Sequence, residues 1–340
     1  MDALFLMMLL FIYTIVFIVA VVFVSLGWIS IEDNRFLNYI FKNLDAGCKK
    51  FIPTAVKKWT EKAKIFIFYE RNPLFQLLYA TLLFFGYAAY TKTAFKYVSE
   101  SLMGRVPYYL LIIHLILFVA CCCSDPGIVT RQTVSKYLKD YKYDGCMYAP
   151  KDCQTCHLKK PARSKHCSLC NLCIARFDHH CSFLNVCIGR NNHRYFAAFL
   201  LSLVLMCGVS SFMIIMVFIH IVNVNELHVA NFVDKYGQVH SASLRTVIQY
   251  LATSYPLMAI LLLFLVCLFV ALTCFYLFHV FLIMTNQTTN ELLTKRTKNQ
   301  TQSGNLHRDE QEKKNRHSWK LTGIYSNGLI SNTVEVLFPG

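Results

Sequence analysis

Long apolar stretches without a charged residue alternate with polar segments along this chain of 340 residues. Each stretch is long enough to cross about 30 Å of hydrocarbon as a helix, which takes roughly 18–20 apolar residues. A buried core helix would explain any one of them, but five in one chain predict a membrane protein. The first lacks a basic leading region and a small-residue cleavage site, so we expect a retained anchor and not a signal peptide. The five stretches are Ala3–Ile29, Asn72–Thr91, Val106–Cys123, Tyr195–Val224 and Leu257–Met284.

Composition and charge agree with this class and predict an orientation. Charged residues make up 16% of the chain, against about 25% in soluble domains. Segments 30–71, 124–194 and 285–340 carry 29 of the 34 lysines and arginines, and with five spans all three lie on one side of the membrane. The positive-inside rule assigns that side to the cytosol and leaves the amino terminus in the lumen. Juxtamembrane basic residues are attracted to anionic headgroups, so the net charge of +15 requires no nucleic acid partner, and we expect none.

The cysteines are concentrated in one of the predicted cytosolic segments. Seven of the fifteen lie between Cys153 and Cys187. Thiols stay reduced in the cytosol, so a disulfide framework is excluded, and dense cysteine with interspersed histidine predicts metal binding. The chain therefore divides into an N-terminal span with a basic linker, a transmembrane hairpin, a cysteine-rich module, a second transmembrane hairpin and a C-terminal tail, at 1–71, 72–123, 124–194, 195–284 and 285–340.

Spacing limits how this module can bind metal. Cys-x2-Cys pairs direct two sulfurs at one tetrahedral ion, and a segment with so few apolar residues would depend on zinc for its folding free energy. Adjacent side chains of an extended chain point to opposite faces, so His166 and Cys167 are expected to bind different ions. By the same rule, if His180 binds metal, His179 and Cys181 face away from it together.

The side chains that face away have the parts of an activated nucleophile, because a thiol stands beside an imidazole and Asp178 is near enough to orient that imidazole. A purely structural double zinc finger is the alternative. In that case Cys181 is a spare cysteine, or it replaces one of the other ligands.

The order of these residues continues into motifs outside the module. The core string is Cys153-x2-Cys156-x9-His166-Cys167-x2-Cys170-x2-Cys173-x4-Asp178-His179-His180-Cys181-x5-Cys187. The flanking motifs are Asp125-Pro126-Gly127, Thr288-Thr289-x-Glu291 and Tyr325-x2-Gly328-x3-Asn332. In this order they resemble the DHHC-type protein S-acyltransferases, or palmitoyltransferases. The chain departs from that family in having Ser182-Phe183 where many members have Pro-Trp, and in its first span, since most members have four.

The resemblance implies an α-helical polytopic membrane protein with about five transmembrane helices, a four-helix family core plus an extra N-terminal span. It also implies a cytosolic two-zinc module of short β-hairpins. Cys181 would be the acyl-accepting nucleophile, His179 its base and Asp178 the partner of that base. One zinc ion would be bound by Cys153, Cys156, His166 and Cys173, and the other by Cys167, Cys170, His180 and Cys187.

The implied reaction transfers a long-chain acyl group, palmitoyl, from acyl-coenzyme A to a protein cysteine in two steps, through a Cys181 acyl-enzyme. The expected cofactors are two structural Zn²⁺ ions, with acyl-coenzyme A as co-substrate. The expected partners are the lipid bilayer and membrane-associated proteins with juxtamembrane cysteines. We expect an endomembrane location, the endoplasmic reticulum ahead of the Golgi. The competing hypotheses are a zinc adaptor without chemistry and a zinc-finger ubiquitin ligase, neither of which needs a free thiol at Cys181.

Several residues have two interpretations. Cysteines 121–123 at the end of the third span are acceptors for S-acylation or pack as small hydrophobic residues. The histidines inside spans, at 114, 220 and 279, are expected to be satisfied by a single hydrogen bond, and His157 to be exposed. The acyl tail is expected between spans three, four and five. Candidate contacts for coenzyme A phosphates, which a solvated basic loop explains equally well, are Lys159, Lys160, Arg163 and Lys165.

Overall fold

The computed structural model describes residues 54–145, 147–233, 236–294 and 323–339. The first predicted span, most of its basic linker and residues 295–322 of the tail lie outside the described residues. Within the described part, four helices are long and apolar enough to cross a membrane, judged by length and composition. They correspond to the other four predicted spans and cover Leu74–Val98, Leu102–Cys123, His193–Val224 and Pro256–Met284.

The helix boundaries differ slightly from the predicted ones. The second span was predicted to end at Thr91, but the helix continues as a π-helical turn, Thr91–Phe95, and a last turn, Lys96–Val98. Lysines near a helix end can extend their charge to the membrane interface, so they need not end the helix. In chain order the helices are α1 Thr54–Tyr69, α2 Leu74–Tyr90, α3 Leu102–Cys123, α4 Val134–Asp140, α5 His193–Val224, α6 Leu244–Ser254, α7 Pro256–Met284 and α8 Leu329–Leu337.

The described chain forms two compact units, and residues 79–116 and 200–275 belong to the first. Its core includes Tyr90, Ile214 and Met258. His114 on α3 is fully buried there, and its ring nitrogens contact the hydroxyls of Tyr79 and Ser202. Hydrogen bonds thus satisfy this histidine, as expected for a polar group inside a span.

The second unit comprises residues 54–78, 117–199 and 276–339 where these are described, and it contains the cysteine-rich module. Residues 152–188 contain three two-stranded antiparallel hairpins. Strands of two or three residues are marginal alone, and four of the nine buried residues in the two core clusters beside them are cysteines, so metal ions bound by these cysteines would stabilise the module. The strands are β1 Asp152–Cys153, β2 Leu158–Lys159, β3 Lys165–Cys167, β4 Leu172–Ile174, β5 His179–Cys181 and β6 Val186–Ile188, while β7 Asn231–Val233 and β8 Val239–Ser241 pair in the first unit.

The motif after α3 attaches the hairpins to the end of that helix. The Asp125 carboxylate accepts the backbone N–H of Gly127 at 2.9 Å, and the Gly127 carbonyl accepts the N–H of Ala175 at 2.8 Å. Gly127 has a φ of 98°, which favours glycine. A Cβ at Gly189 would lie 2.5 Å from the Pro126 carbonyl oxygen, so no side chain fits there. The Asp125-Pro126-Gly127 motif therefore turns the chain after α3 so that its backbone packs directly against the hairpins.

Candidate functional site

The three hairpins of the module repeat one local pattern every fourteen residues. Cys153, Cys167 and Cys181 occupy the same place in successive hairpins, each paired with the residue five positions later. The turn residue four positions after each cysteine has a positive φ of 52–54° and is a histidine or an asparagine, at positions 157, 171 and 185. Asparagine tolerates this left-handed conformation better than most residues.

The third repeat lacks one of the thiols that the first two contain. Cys156 and Cys170 complete the Cys-x2-Cys pairs, but the third hairpin has Leu184 in that position, buried at 1% exposure. With Leu184 at that position the third hairpin contains no Cys-x2-Cys pair, and Cys181 lies outside both ligand clusters. Sequence reasoning missed this repeat, although aligning residues 166–174 (HCSLCNLCI) with 180–188 (HCSFLNVCI) reveals it.

Two clusters among the described residues could each hold a metal ion, with all ligand atoms of a cluster within 4.8 Å of one another. His166 Nδ1 lies 3.3–3.8 Å from the three sulfurs of its cluster, and His180 Nδ1 lies 3.3–3.7 Å from those of the other. Zinc–sulfur and zinc–nitrogen bonds of about 2.3 and 2.0 Å at tetrahedral angles place the ligand nitrogen and sulfur about 3.5 Å apart. The donor sets therefore fit zinc. They are Cys153, Cys156, His166 and Cys173, and Cys167, Cys170, His180 and Cys187.

Strand alternation separates the second cluster from the candidate catalytic groups. His180, the middle residue of β5, pairs with the ligand Cys187, while His179 and Cys181 lie on the opposite face. His179 Nδ1 is 2.7 Å from Asp178 Oδ2, and the Cys181 sulfur is near enough to raise the pKa of the His179 imidazole. The structure thus brings the three predicted catalytic side chains together in one series.

The electrostatics of this series favour a charged pair. Burial alone would raise the pKa of Asp178, but the hydrogen bond and the charge of His179 outweigh it and hold the pKa below its usual range. Burial would lower the pKa of His179, whereas the hydrogen bond to Asp178 and the nearby Cys181 sulfur raise it to about 10. The imidazole keeps 21% of its surface exposed, so these partners affect its pKa more than burial does. The arrangement can hold a proton on the imidazole beside the Cys181 sulfur.

A segment after α7 holds the Asp178 carboxylate in place. Thr289 donates its backbone N–H to Oδ1 at 2.7 Å and its hydroxyl to Oδ2 at 3.1 Å. Thr288 and Glu291 form a capping box, because each side chain accepts the backbone N–H of the other residue. This box begins a helix at residue 289 that is described as far as residue 294. The Thr-Thr-x-Glu motif is therefore a helix start directed at Asp178.

Arg163 is not available to bind a phosphate, which corrects one of the candidate contacts. Its side chain is fully buried and donates to both Glu291 carboxylate oxygens at 2.7 and 2.9 Å and to Asn286 at 2.8 and 2.9 Å. The rings of Tyr141 and Tyr325 lie 4.7 and 4.9 Å from its guanidinium carbon. The proximity of Arg163 to Glu291 could not be read from the sequence, since 128 residues separate them.

Arg176 and His193, two buried polar residues behind His179, were also missed. Arg176 contacts His193 Nδ1 at 3.3 Å and donates to Asn286 at 3.1 Å. All three of these residues are at most 2% exposed. His279 has its ring centroid 6.0 Å from that of His179, so it belongs to the wall of this site. His220, by contrast, is exposed, as is His157. The sequence signal was an arginine in an apolar run immediately before Asp178.

The described part of the tail packs against the end of α7 through Asn332. The Asn332 amide donates to the Met284 carbonyl at 2.7 Å and to Ser326 at 2.9 Å, and its oxygen accepts the N–H of Asn327 at 2.8 Å. The Gly323 backbone N–H donates to the Thr285 carbonyl at 3.0 Å. The third flanking motif therefore fixes the tail beside the segment that holds Asp178.

The loop after Cys181 is hydrogen-bonded to α2 and α3, two of the membrane-capable helices. The Leu184 carbonyl accepts the Gln76 amide at 2.9 Å and the Cys122 thiol at 3.4 Å. Phe183, which stands where many acyltransferases have tryptophan, packs edge-on against Phe75 with ring centroids 5.7 Å apart. The phenyl ring of Phe183, which is smaller than an indole, is thus packed against α2.

Comparisons with known proteins agree with this site. A family model described as DHHC palmitoyltransferase matches residues 147–296, which include both clusters and the series ending at Cys181. The chain is similar to palmitoyltransferase ZDHHC4 of Mus musculus, with 33% identity over 250 residues that cover 72% of this chain and 73% of that protein. For ZDHHC4 of Bos taurus the identity is 30% over 277 residues, covering 79% and 80%. Palmitoyltransferase swf1 of Emericella nidulans is 31% identical over 159 residues, covering 46% and 38%.

Proposed function

Because the chain belongs to the DHHC palmitoyltransferase family and is a palmitoyltransferase, we propose that it transfers palmitoyl from acyl-coenzyme A to protein cysteines through a Cys181 acyl-enzyme. The observation that carries this proposal is the series from Thr289 through Asp178 and His179 to Cys181. A zinc adaptor or a ubiquitin ligase would have no use for a base directed at a free thiol.

In the first step the Cys181 thiolate attacks the thioester carbonyl of the donor. Nδ1 of His179 is engaged by Asp178, so the thiol proton resides on Nε2 and then passes to the departing coenzyme A sulfur. One carbon–sulfur bond forms and one breaks, and no redox partner is needed. Asp178 holds the tautomer and stabilises the imidazolium.

In the second step a cysteine of the protein substrate attacks the acyl-enzyme. His179 accepts the proton of the incoming thiol and returns it to the Cys181 sulfur as the new thioester forms. Each step exchanges one thioester for another, so neither requires an energy source. The free enzyme is regenerated, which makes the reaction ping-pong.

The two clusters would each hold one Zn²⁺ ion, and these ions supply folding free energy and a rigid base for β5. The ligands lie on both sides of Cys181 in the chain. Their role is therefore to position the loop that carries the nucleophile.

The acyl donor and the protein substrates are inferred from the chemistry and the membrane setting of the site. The four membrane-capable helices indicate an integral membrane protein. We place the cysteine-rich module in the cytosol, where coenzyme A phosphates could contact the loop lysines Lys159 and Lys160. Suitable substrates are membrane-associated proteins with cysteines near the bilayer, in the endoplasmic reticulum or the Golgi.

The test uses purified full-length protein in lipid nanodiscs with alkyne-labelled palmitoyl-coenzyme A. Label that is released by neutral hydroxylamine is expected on tryptic peptide 177–190, which contains Cys181. Cys181→Ser should lose the label while keeping its zinc content, whereas His157→Ala, at an exposed turn, should keep both. Label that persists unchanged in Cys181→Ser would reject the acyl-enzyme.

A further inference from the structure

A second thiol lies next to the candidate nucleophile. Cys122, on the last turn of α3, donates its thiol to the Leu184 carbonyl at 3.4 Å, and the Leu184 N–H donates back to the Cys181 carbonyl at 3.2 Å. The Cys181 sulfur interacts electrostatically with the thiols of both Cys121 and Cys122. Contacts between residues 62 positions apart therefore bring the end of the span to the nucleophile.

From this arrangement we propose that Cys122 is an intramolecular acceptor of the acyl group carried by Cys181. The inference rests on the proposed function, because it requires an acyl-Cys181 thioester. The Cys122 sulfur attacks the acyl carbonyl on Cys181, a carbon–sulfur bond to Cys122 forms, and the bond to Cys181 breaks. The proton lost by the Cys122 thiol is regained by the pair of Cys181 and His179, so atoms, charge and electrons balance without an oxidant.

The local contacts select Cys122 from the three consecutive cysteines. Cys121 is fully buried and Cys123 is exposed, whereas Cys122 is half-buried with its sulfur directed at the Leu184 carbonyl in the loop after Cys181. The Gln76 amide also donates to the Cys122 sulfur at 3.7 Å. An N–H donor to sulfur supports the negative charge that develops as the thiol loses its proton.

The product would be a resident lipid at the end of α3. Both forms are alkyl thioesters, so the equilibrium between acyl-Cys181 and acyl-Cys122 is on the order of one, within about tenfold. The transfer is therefore reversible. Cys122 would store an acyl group beside the nucleophile and free the Cys181 thiol for another donor.

The two thioesters can be separated by trypsin, because Cys121–Cys123 fall in peptide 106–131 and Cys181 falls in peptide 177–190. Full-length protein in nanodiscs, kept under a phosphine reductant, is pulsed with alkyne-labelled palmitoyl-coenzyme A and then freed of donor. Label is expected first on peptide 177–190 and later on peptide 106–131, to levels within about tenfold of each other. Cys122→Ser keeps a hydroxyl donor for Leu184 and should be labelled on peptide 177–190 alone.

Two control variants test whether the acyl group reaches Cys122 from Cys181 of the same chain. Cys123→Ser, the matched exposed neighbour, should be labelled on both peptides. Cys181→Ser should be labelled on neither. When it is produced with heavy nitrogen and mixed with wild-type protein, its mass-shifted peptide 106–131 should also stay unlabelled, because the transfer occurs within one chain.

Label on peptide 106–131 of Cys181→Ser would overturn the relay, since coenzyme A or another chain would then be the donor. Label confined to peptide 177–190 of the wild type would overturn the relay and leave the acyl-enzyme intact. Absence of label from both wild-type peptides would reject the two proposals together. If Cys122→Ser is labelled on neither peptide, the order in which the two wild-type peptides become labelled still tests the relay.

Discussion

The buried ion pair between Arg163 and Glu291 is expected to determine how often residues 285–294 and 323–339 detach from the cysteine-rich module. The Glu291 carboxylate accepts four hydrogen bonds, two from Arg163 and one each from Tyr148 and the Thr288 backbone, at 2.7–3.1 Å. Its side chain is 5% exposed and that of Arg163 is fully buried. In Glu291→Gln the amide NH₂ faces these donors, and the arginine charge is left without a counter-charge.

The magnitude follows from that burial. Removing one partner of a buried ion pair costs about 3–5 kcal/mol, since the remaining charge stays desolvated. Local opening of residues 285–294 and 323–339 should become roughly 10²- to 10⁴-fold more frequent. The double variant Arg163→Met/Glu291→Leu, which buries no charge at either position, should be more stable than Glu291→Gln.

Hydrogen exchange of full-length protein in nanodiscs measures this opening at the backbone amides of the two segments. Glu335→Gln is the matched control, because Glu335 lies in the same tail and accepts the Tyr141 hydroxyl at 2.6 Å, a hydrogen bond that a glutamine oxygen can also accept. An increase below tenfold in Glu291→Gln, or a double variant that opens more than the single one, would show that the ion pair does not hold these segments in place.

The same pair predicts a pH dependence. Burial alone would raise the pKa of Glu291, but the charge of Arg163 and its hydrogen bonds outweigh burial and lower it from 4.5. A carboxyl with a depressed pKa stabilises the fold at every pH above its unfolded value and loses this effect as pH falls through the folded value. The difference between wild type and Glu291→Gln should be constant from pH 6 to 8 and shrink below about pH 4.5.

Three further variants test separate parts of the site. Thr289→Val removes one hydrogen bond to the buried Asp178 carboxylate, worth about 1.5–3 kcal/mol, so single-turnover acylation should slow by about 10- to 100-fold, and an unchanged rate would contradict the positioning role. Cys153→Ser should lose about one zinc ion per chain by elemental analysis, whereas a similar loss in His157→Ala would argue against the ligand set. Asn332→Ala leaves a buried carbonyl unpaired at about 1–3 kcal/mol, so residues 323–339 should be cleaved faster by a protease while zinc content is unchanged.

Much of this fold was predictable because its determinants are local. A helix in hydrocarbon satisfies its backbone within itself, so apolar length alone predicts a span, and four of the five predicted spans are described as membrane-capable helices. Strand alternation is equally local. It predicted that His166 and Cys167 belong to different clusters and that His179 and Cys181 share a face.

Other parts of the site depend on residues far apart in the chain. Periodicity could not indicate that Thr289 donates to a carboxylate 111 residues away, or that Arg163 is buried against Glu291 and not exposed to a phosphate. Nor could it place Cys122 beside the loop that follows Cys181. Each contact requires the hairpins, α3 and the segment after α7 to pack together first.

Local sequence patterns thus predicted the class of protein, the metal-binding module and the candidate nucleophile, because spans, Cys-x2-Cys pairs and strand faces follow from neighbours within one or two turns of chain. What surrounds the Cys181 thiol depends on tertiary packing. Burial converts Asp178, Arg163 and Glu291 from ordinary charged residues into interdependent partners, and the energy of each depends on a group that local sequence does not specify.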